Sequence, residues 1–205
     1  APTTGYNRTR DFGGWASAGS GSGNDVRQQT LRRDFVSYTL RADGYTVATG
    51  ILDDAYTGTV IDFQHSNHPT TGAGNSSAVQ IDHVVPLKAA WDGGASVWER
   101  AQRVAIANDP VNLFASQGSA NASKGEKLYG AWKPANPEFQ CQYAAQMTFV
   151  LDKYDLTVLV SDRAALVAVL SSDDCELPEA AVVVPSSSPT PTTGTPSSSP
   201  TPTTP

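Results

Sequence analysis

The sequence VQIDHVVPL at residues 79–87 constrains the fold more than any other stretch of the chain. Its first residues alternate between apolar and polar side chains, which predicts a short strand. Asp82 and His83 then follow side by side, and Pro86 marks a break after them. Neighbouring residues of a strand point to opposite faces, so a bulge or loop is expected to bring both side chains to one place. The pair is either a satisfied polar pair at a strand end or a metal-binding carboxylate beside a general base.

Hydrophobic periodicity divides the rest of the chain into short strands and helices. Asp25 can cap a helix, with Gln28 completing a capping-box pattern, and Leu31, Phe35 and Tyr38 share one face of that helix. Strands are predicted at 45–52, 59–63 and 78–82, helices at 96–108, 119–132, 137–154 and 162–172, and a short apolar segment at 111–115.

The two ends of the chain have the composition of loops and linkers. Residues 1–24 are rich in Gly, Ser and Thr and are predicted to form an N-terminal loop segment. Residues 185–205 contain only Pro, Ser, Thr and Gly, so we expect a folded domain at 25–178 and a disordered tail at 179–205. Such tails are spacers on secreted proteins, and the start APTTG suits a mature N-terminus left after cleavage. A secreted, extracellular protein is therefore expected.

Charge and cysteine content narrow the possible functions further. The formal net charge is −6, so nucleic-acid binding would depend on a local basic patch. No apolar run reaches 18 residues, so we expect no transmembrane helix. Cys141 and Cys175 are either two buried thiols or one disulfide formed in an oxidising compartment. As a disulfide they would join the last two predicted helices and contribute about 3–4 kcal/mol in the chain-entropy model.

Polar residues that could take part in catalysis or metal binding follow the strand-end pair along the sequence. Asn112 lies in a short linking segment, and Asn121 and Lys124 lie at a predicted helix start, in NASKG. Together with Asp82 and His83, these residues resemble the HNH motif of the His-Me finger nucleases, also called the ββα-metal fold. The last position of the motif is Asn here rather than His, a common variant in that superfamily.

One branch of that superfamily is a closer match. The segments VQIDHVVPLKAAWDGG, ANDPVNLFAS and NASKGEK are similar to secreted HNH-family endonucleases related to the C-terminal domain of the GmrSD restriction enzyme. The similarity runs from about Tyr6 to Cys175 and includes DVRQQTLRRDF, YTG and the cysteine pair. The family often has a Cys where this chain has Asn24. The resemblance implies an α+β fold with a ββα-metal core and additional flanking α-helices.

The chemistry of the residue types agrees with this resemblance. Phosphodiester hydrolysis needs an activated water and neutralisation of charge on the phosphate. His83 can take a proton from water when its imidazole is neutral. Asp82 and Asn121 offer hard oxygen ligands to one divalent cation, Mg²⁺, with Mn²⁺ as the alternative. The family pattern implies that Asn112 holds the loop carrying His83 through backbone hydrogen bonds.

The substrate contacts that the resemblance implies involve three cations. Arg27 is expected to reach the scissile phosphate. Arg33 is expected either to contact substrate or to pair with a buried carboxylate, and Lys124 either to contact phosphate or to be a solvated helix lysine.

These residues predict a secreted, metal-dependent, non-specific endonuclease. Its substrate would be DNA, with RNA as the alternative, and we expect a monomer that does not bind membranes. One alternative is a non-catalytic module that binds a cell surface or a polysaccharide, and another is a metallohydrolase for a different phosphoester.

Overall fold

The structure is a computed structural model that describes residues 3–17, 24–67 and 74–177. Two helices and a three-stranded sheet come first: α1 (Arg8–Phe12), α2 (Val26–Asp34), β1 (Phe35–Leu40), β2 (Val47–Asp54) and β3 (Thr59–Gln64). The second half contains β4 (Val79–His83), α3 (Leu87–Asp92), α4 (Arg100–Ala107), β5 (Leu113–Gln117), α5 (Gly118–Lys124), α6 (Pro137–Lys153) and α7 (Val160–Leu170). The α+β prediction is confirmed, and the predicted tail at 179–205 lies outside the described residues.

A two-stranded sheet and the helix after it position the candidate site. Strands β4 and β5 are antiparallel and stay in regular register from Val79 opposite Gln117 to His83 opposite Leu113. Helix α5 begins directly after β5 and packs against both strands. The sharp entry into α5 needs Gly118, because a Cβ there would lie 2.1 Å from the Ser77 carbonyl oxygen. The order β4–β5–α5 is a ββα unit.

This sheet separates two hydrophobic cores. Along β5, Leu113 and Ala115 belong to a core with the sheet β1–β2–β3, whereas Phe114 belongs to a larger core formed mainly by helices. Alternation of side chains along a strand explains why neighbours enter different cores. The polar end of β4 therefore lies in a largely buried part of the molecule.

The first predicted helix is shorter than expected. Asp25 accepts a hydrogen bond from the Gln28 backbone N–H at 2.8 Å, which confirms the cap. The Gln28 side chain accepts from the Val47 N–H at 2.9 Å and so links α2 to β2. The prediction of one helical face through Phe35 and Tyr38 is wrong, because these residues lie in β1. The aromatic and β-branched residues of that stretch favour strand pairing with β2.

The N-terminal segment is more ordered than the predicted loop. It contains α1, and Asn7 caps this helix by accepting from the Arg10 N–H at 2.9 Å. Phe12 is fully buried and packs against Tyr6 and Trp91, with ring centroids 5.9 and 6.5 Å away. Within the described residues 3–17, the prediction of loop is therefore wrong over α1, because aromatic side chains fix this helix to the helical core.

A covalent link secures the C-terminal helices. Cys141 on α6 and Cys175 beyond α7 form a disulfide, so that prediction is confirmed. Among the helices of the described residues, none is both long and apolar enough to cross a membrane.

Candidate active site

The end of β4 opens into a cleft of about 380 Å³. Its walls come from β4, the start of α3, the end of α5 and the N-terminal segment. The lining residues are Tyr6, Arg8, Ile81, Asp82, His83, Pro86, Leu87, Lys88, Asn121, Gly125 and Glu126. A neighbouring cavity of about 410 Å³ contains none of the predicted catalytic or metal-binding residues. The first cleft is the candidate site, because it brings Asp82, His83 and Asn121 together.

The strand stays regular up to the strand-end pair. No register shift occurs between β4 and β5, so the expected bulge is absent and the chain bends only after His83. Asp82 and His83 consequently have different bonding partners on either side of the strand. Both still line the cleft, because it lies at the end of the strand.

His83 has one ring nitrogen fixed and the other available. Its Nε2 lies 2.9 Å from the Ala107 carbonyl oxygen, which can only accept, so Nε2 carries the hydrogen. Nδ1 is then the basic nitrogen. The ring also stacks on Trp15, with centroids 5.6 Å apart and planes 2° from parallel. Burial lowers the pKa of His83 to about 3, so the imidazole is neutral at physiological pH and its Nδ1 carries no proton.

Asp82 lies in a buried ion pair. Its Oδ1 accepts from the Lys124 ammonium at 2.8 Å, and its Oδ2 accepts from the Tyr56 hydroxyl at 2.7 Å. Burial and the charge of Asp82 raise the pKa of Tyr56 well above its usual range, so the phenol stays a donor. Each carboxylate oxygen keeps a second lone pair. The two donors therefore fix the carboxylate while leaving it able to bind a cation.

Lys124 has neither of the two roles expected for it, contact with phosphate or a solvated position on a helix. Its side chain is fully buried, and its ammonium donates to Asp82 and, at 2.6 Å, to the His83 carbonyl oxygen. Burial lowers the pKa of Lys124, and the charge of Asp82 opposes that shift. A lysine enclosed in this way is neither solvated nor presented to a phosphate. Its position instead suits holding the end of β4.

Asn112 is fully buried and holds the bend that follows His83. Its Oδ1 accepts from the Val85 N–H at 2.8 Å, and its Nδ2 donates to the Ile106 carbonyl at 3.2 Å. Its backbone carbonyl accepts from the Val84 N–H at 2.9 Å. One side chain thus links the His83 bend to the end of α4, the helix whose Ala107 carbonyl binds the His83 ring.

Asn121 supplies a second oxygen at the cleft. Its Nδ2 donates to the Gln80 side-chain oxygen at 2.9 Å, which fixes the amide and leaves Oδ1 without a bond to the described residues. In the described part of the chain, no group of three His, Cys, Asp or Glu could hold a metal ion. A carboxylate and an amide oxygen suit a hard cation that keeps most of its water, so the donor set fits Mg²⁺.

The two predicted arginines lie away from the cleft lining. Arg33 pairs with the adjacent Asp34 and donates to the carbonyls of Pro110 at 2.8 Å and Leu113 at 2.6 Å. Arg33 therefore connects α2 to β5. Of its two expected roles, substrate contact and pairing with a carboxylate, the structure shows the second. Arg27 is partly buried on α2 and does not line the cleft, and burial lowers its pKa.

Sequence reasoning missed the residues that the N-terminal segment contributes. Tyr6 and Arg8 line the cleft, and Trp15 covers the His83 ring. Burial raises the pKa of Tyr6, and the positive charge of Arg8 opposes that shift. Aromatic residues in a segment otherwise rich in Gly, Ser and Thr were the available signal, because such side chains seek a core.

Comparisons with known proteins agree with the resemblance to GmrSD C-terminal domains. The family model described as "GmrSD restriction endonucleases, C-terminal domain" matches residues 25–169. A curated relative from Arthroderma benhamiae, named "Uncharacterized secreted protein", is 35% identical over 174 residues. That match covers 83% of this chain and 77% of the relative.

Proposed function

Because the chain belongs to the family of GmrSD restriction endonuclease C-terminal domains, we propose that it is a metal-dependent, non-specific endonuclease. Its substrate would be DNA, with RNA as the alternative. The observation that carries the proposal is the cleft that joins a neutral histidine of fixed tautomer to two hard oxygen donors. Those are the groups that hydrolysis of a phosphodiester requires.

In the proposed reaction, His83 acts as general base. Its Nδ1 takes the proton of the attacking water, while its Nε2–H keeps donating to the Ala107 carbonyl oxygen throughout. This bond and the Trp15 stack keep the ring in one orientation. An imidazolium formed in the step would still donate from Nε2, so no rearrangement is needed.

The other residues of the site would hold the metal or the backbone. Asp82 and Asn121 would bind the cation, Mg²⁺ or Mn²⁺, which when bound neutralises charge on the phosphate and the leaving oxygen. Tyr56 and Lys124 orient the Asp82 carboxylate, and Asn112 fixes the bend after His83. Contacts to phosphate rather than to base edges would make cleavage independent of sequence.

We further infer that the protein is secreted and acts outside the cell. Its relative bears the name of a secreted protein. Its two cysteines form a disulfide, which persists in oxidising compartments. An extracellular nuclease would meet nucleic acid released by other cells.

The test combines cleavage with metal binding. Purified protein should nick supercoiled plasmid with Mg²⁺ or Mn²⁺ and stop when EDTA is added. In calorimetric titration with Mg²⁺ alone, Asn121→Ala should weaken binding, while Asn67→Ala, at an exposed asparagine outside the cleft, should not. Wild-type protein that leaves both plasmid and RNA intact with either cation would overturn the proposal.

A further inference from the structure

The positively charged side chains around the cleft differ in whether they already form an ion pair with a carboxylate. Lys124, beneath the cleft, is bound to Asp82, and Lys88, at its edge, pairs with Asp92 on the same helix. Arg8 also lines the cleft, but its side chain is exposed and its guanidinium makes no hydrogen bond or ion pair with any residue that the structure describes. Its guanidinium is therefore available to an anionic ligand.

The segment that carries Arg8 is fixed in place. Asp11 accepts from the Asn7 N–H at 2.7 Å, and the Arg103 guanidinium donates to the Asp11 carbonyl at 3.2 Å. Phe12, four residues after Arg8, is fully buried in the helical core. Such anchoring lowers the entropy cost of holding a ligand, since little backbone must be ordered on binding.

Arg8 also lies in the same cleft as His83, the proposed general base. Besides burial, the positive charges of Arg8 and buried Lys124 both lower the pKa of the His83 imidazole. A phosphate bound by Arg8 would thus lie in the same cleft as His83. The chain carries a net charge of −6, so a local cation of this kind is what polyanion binding would depend on.

We propose that Arg8 binds the scissile phosphate of the nucleic-acid substrate, in the place expected of Arg27, Arg33 and Lys124; this assignment rests on the proposed function. A guanidinium presents parallel N–H donors that match two non-bridging phosphate oxygens. The contact would position phosphorus for the water activated by His83 and would neutralise charge that grows during attack. The N-terminal segment is then part of the active site.

The experiment measures binding and cleavage separately, with variants matched in charge. Arg8→Gln is compared with Arg163→Gln, which removes an exposed arginine outside the cleft, and with Arg8→Lys. Binding of a fluorescent 20-base-pair DNA is measured in EDTA over a series of salt concentrations. Cleavage of the same DNA is measured with Mg²⁺, and circular dichroism and melting curves compare the folding of each variant.

Loss of the Arg8 contact should weaken binding and cleavage together. Arg8→Gln is expected to lower kcat/KM by about 10- to 100-fold, the worth of one charged hydrogen-bonded contact. It should also reduce the slope of log affinity against log salt by about 1. Arg8→Lys should restore part of the loss, and Arg163→Gln should behave as wild type.

Failure of the Arg8 assignment can be distinguished from failure of the proposed nuclease function. An active wild type whose Arg8→Gln variant keeps the same salt slope and kcat/KM would overturn the role of Arg8 alone. A wild type that neither binds nor cleaves DNA or RNA would overturn the proposed function and the role of Arg8 with it. Equal losses of DNA affinity and kcat/KM in Arg8→Gln and Arg163→Gln would show that the effect comes from the net charge of the protein. That result would also overturn the assignment of Arg8.

Discussion

Replacing Lys124 by Met should destabilise the protein strongly, because it leaves a buried carboxylate without its counter-ion. The Lys124 side chain is 0% exposed and that of Asp82 is 4% exposed, and their charged atoms are 2.8 Å apart. Met keeps most of the aliphatic volume but removes both donations from the ammonium. Among the residues that the structure describes, only the Tyr56 hydroxyl would then donate to the Asp82 carboxylate. Breaking one partner of such a pair costs about 3–5 kcal/mol.

A second ion pair in the same chain provides the matched control. Lys153 pairs with Asp109, but the Lys153 side chain is 42% exposed, so water screens the pair. Lys153→Met is expected to cost about 0.5 kcal/mol. Urea unfolding followed by tryptophan fluorescence measures both free energies of unfolding. The double variant Asp82→Asn/Lys124→Met should lose less than the sum of the single losses, since no buried charge remains.

The same assay can refute this reasoning. If Lys124 bound substrate phosphate from solvent, Lys124→Met would cost under about 1 kcal/mol, as expected of an exposed pair. It would also raise KM with little change in stability. That combination would show that Asp82 does not depend on Lys124.

Three further changes test other contacts of the site and the fold. Asn112→Ala leaves the Val85 N–H unsatisfied and should cost about 2–3 kcal/mol in urea unfolding; a cost near zero would contradict the role given to this amide. Trp15→Ala should lower kcat by freeing the His83 ring, whereas Trp15→Phe should retain most activity; equal rates would contradict positioning by the stack. Hydrogen bonds from Thr46 and Tyr45 lower the pKa of Asp43 to about 2, so its stabilising effect is present above about pH 4 and is lost as pH falls towards 2. Asp43→Asn should flatten that loss in unfolding curves measured between pH 5 and pH 2.5, and an unchanged slope would contradict the assignment.

The ββα unit was predicted through the family resemblance, and that resemblance rests on short local segments. The apolar alternation before Asp82, the break at Pro86 and the order of Asn112 and Asn121 are all visible in the sequence. The cap at Asp25 was predictable for the same reason, since the capping oxygen and its donor are three residues apart.

The errors arose where distant partners decide the outcome. Phe35 and Tyr38 fit a helical face in sequence, but pairing with β2 places them in a strand. Lys124 looks like a helix-surface lysine until Asp82, 42 residues away, is placed against it. The sequence within a few residues of Lys124 contains no pattern that indicates its contact with Asp82.

The N-terminal part of the site was missed for a compositional reason. Gly, Ser and Thr predict a loop in this region, and they outweighed the aromatic side chains that anchor it. Tyr6, Arg8 and Trp15 reach the site only through packing against α3, α4 and the end of β4. A one-dimensional pattern does not show which wall of a cleft a loop-like segment will form.

The most direct test of the account is the plasmid-nicking rate of His83→Ala with Mg²⁺, compared with wild type and with His65→Ala. His65 lies outside the cleft and serves as the matched histidine control. We expect metal-dependent nicking by wild type and His65→Ala, and a loss of at least about 100-fold in His83→Ala, the usual contribution of a general base. Nicking by His83→Ala at the wild-type rate would contradict the assignment of this strand-end histidine as the catalytic base.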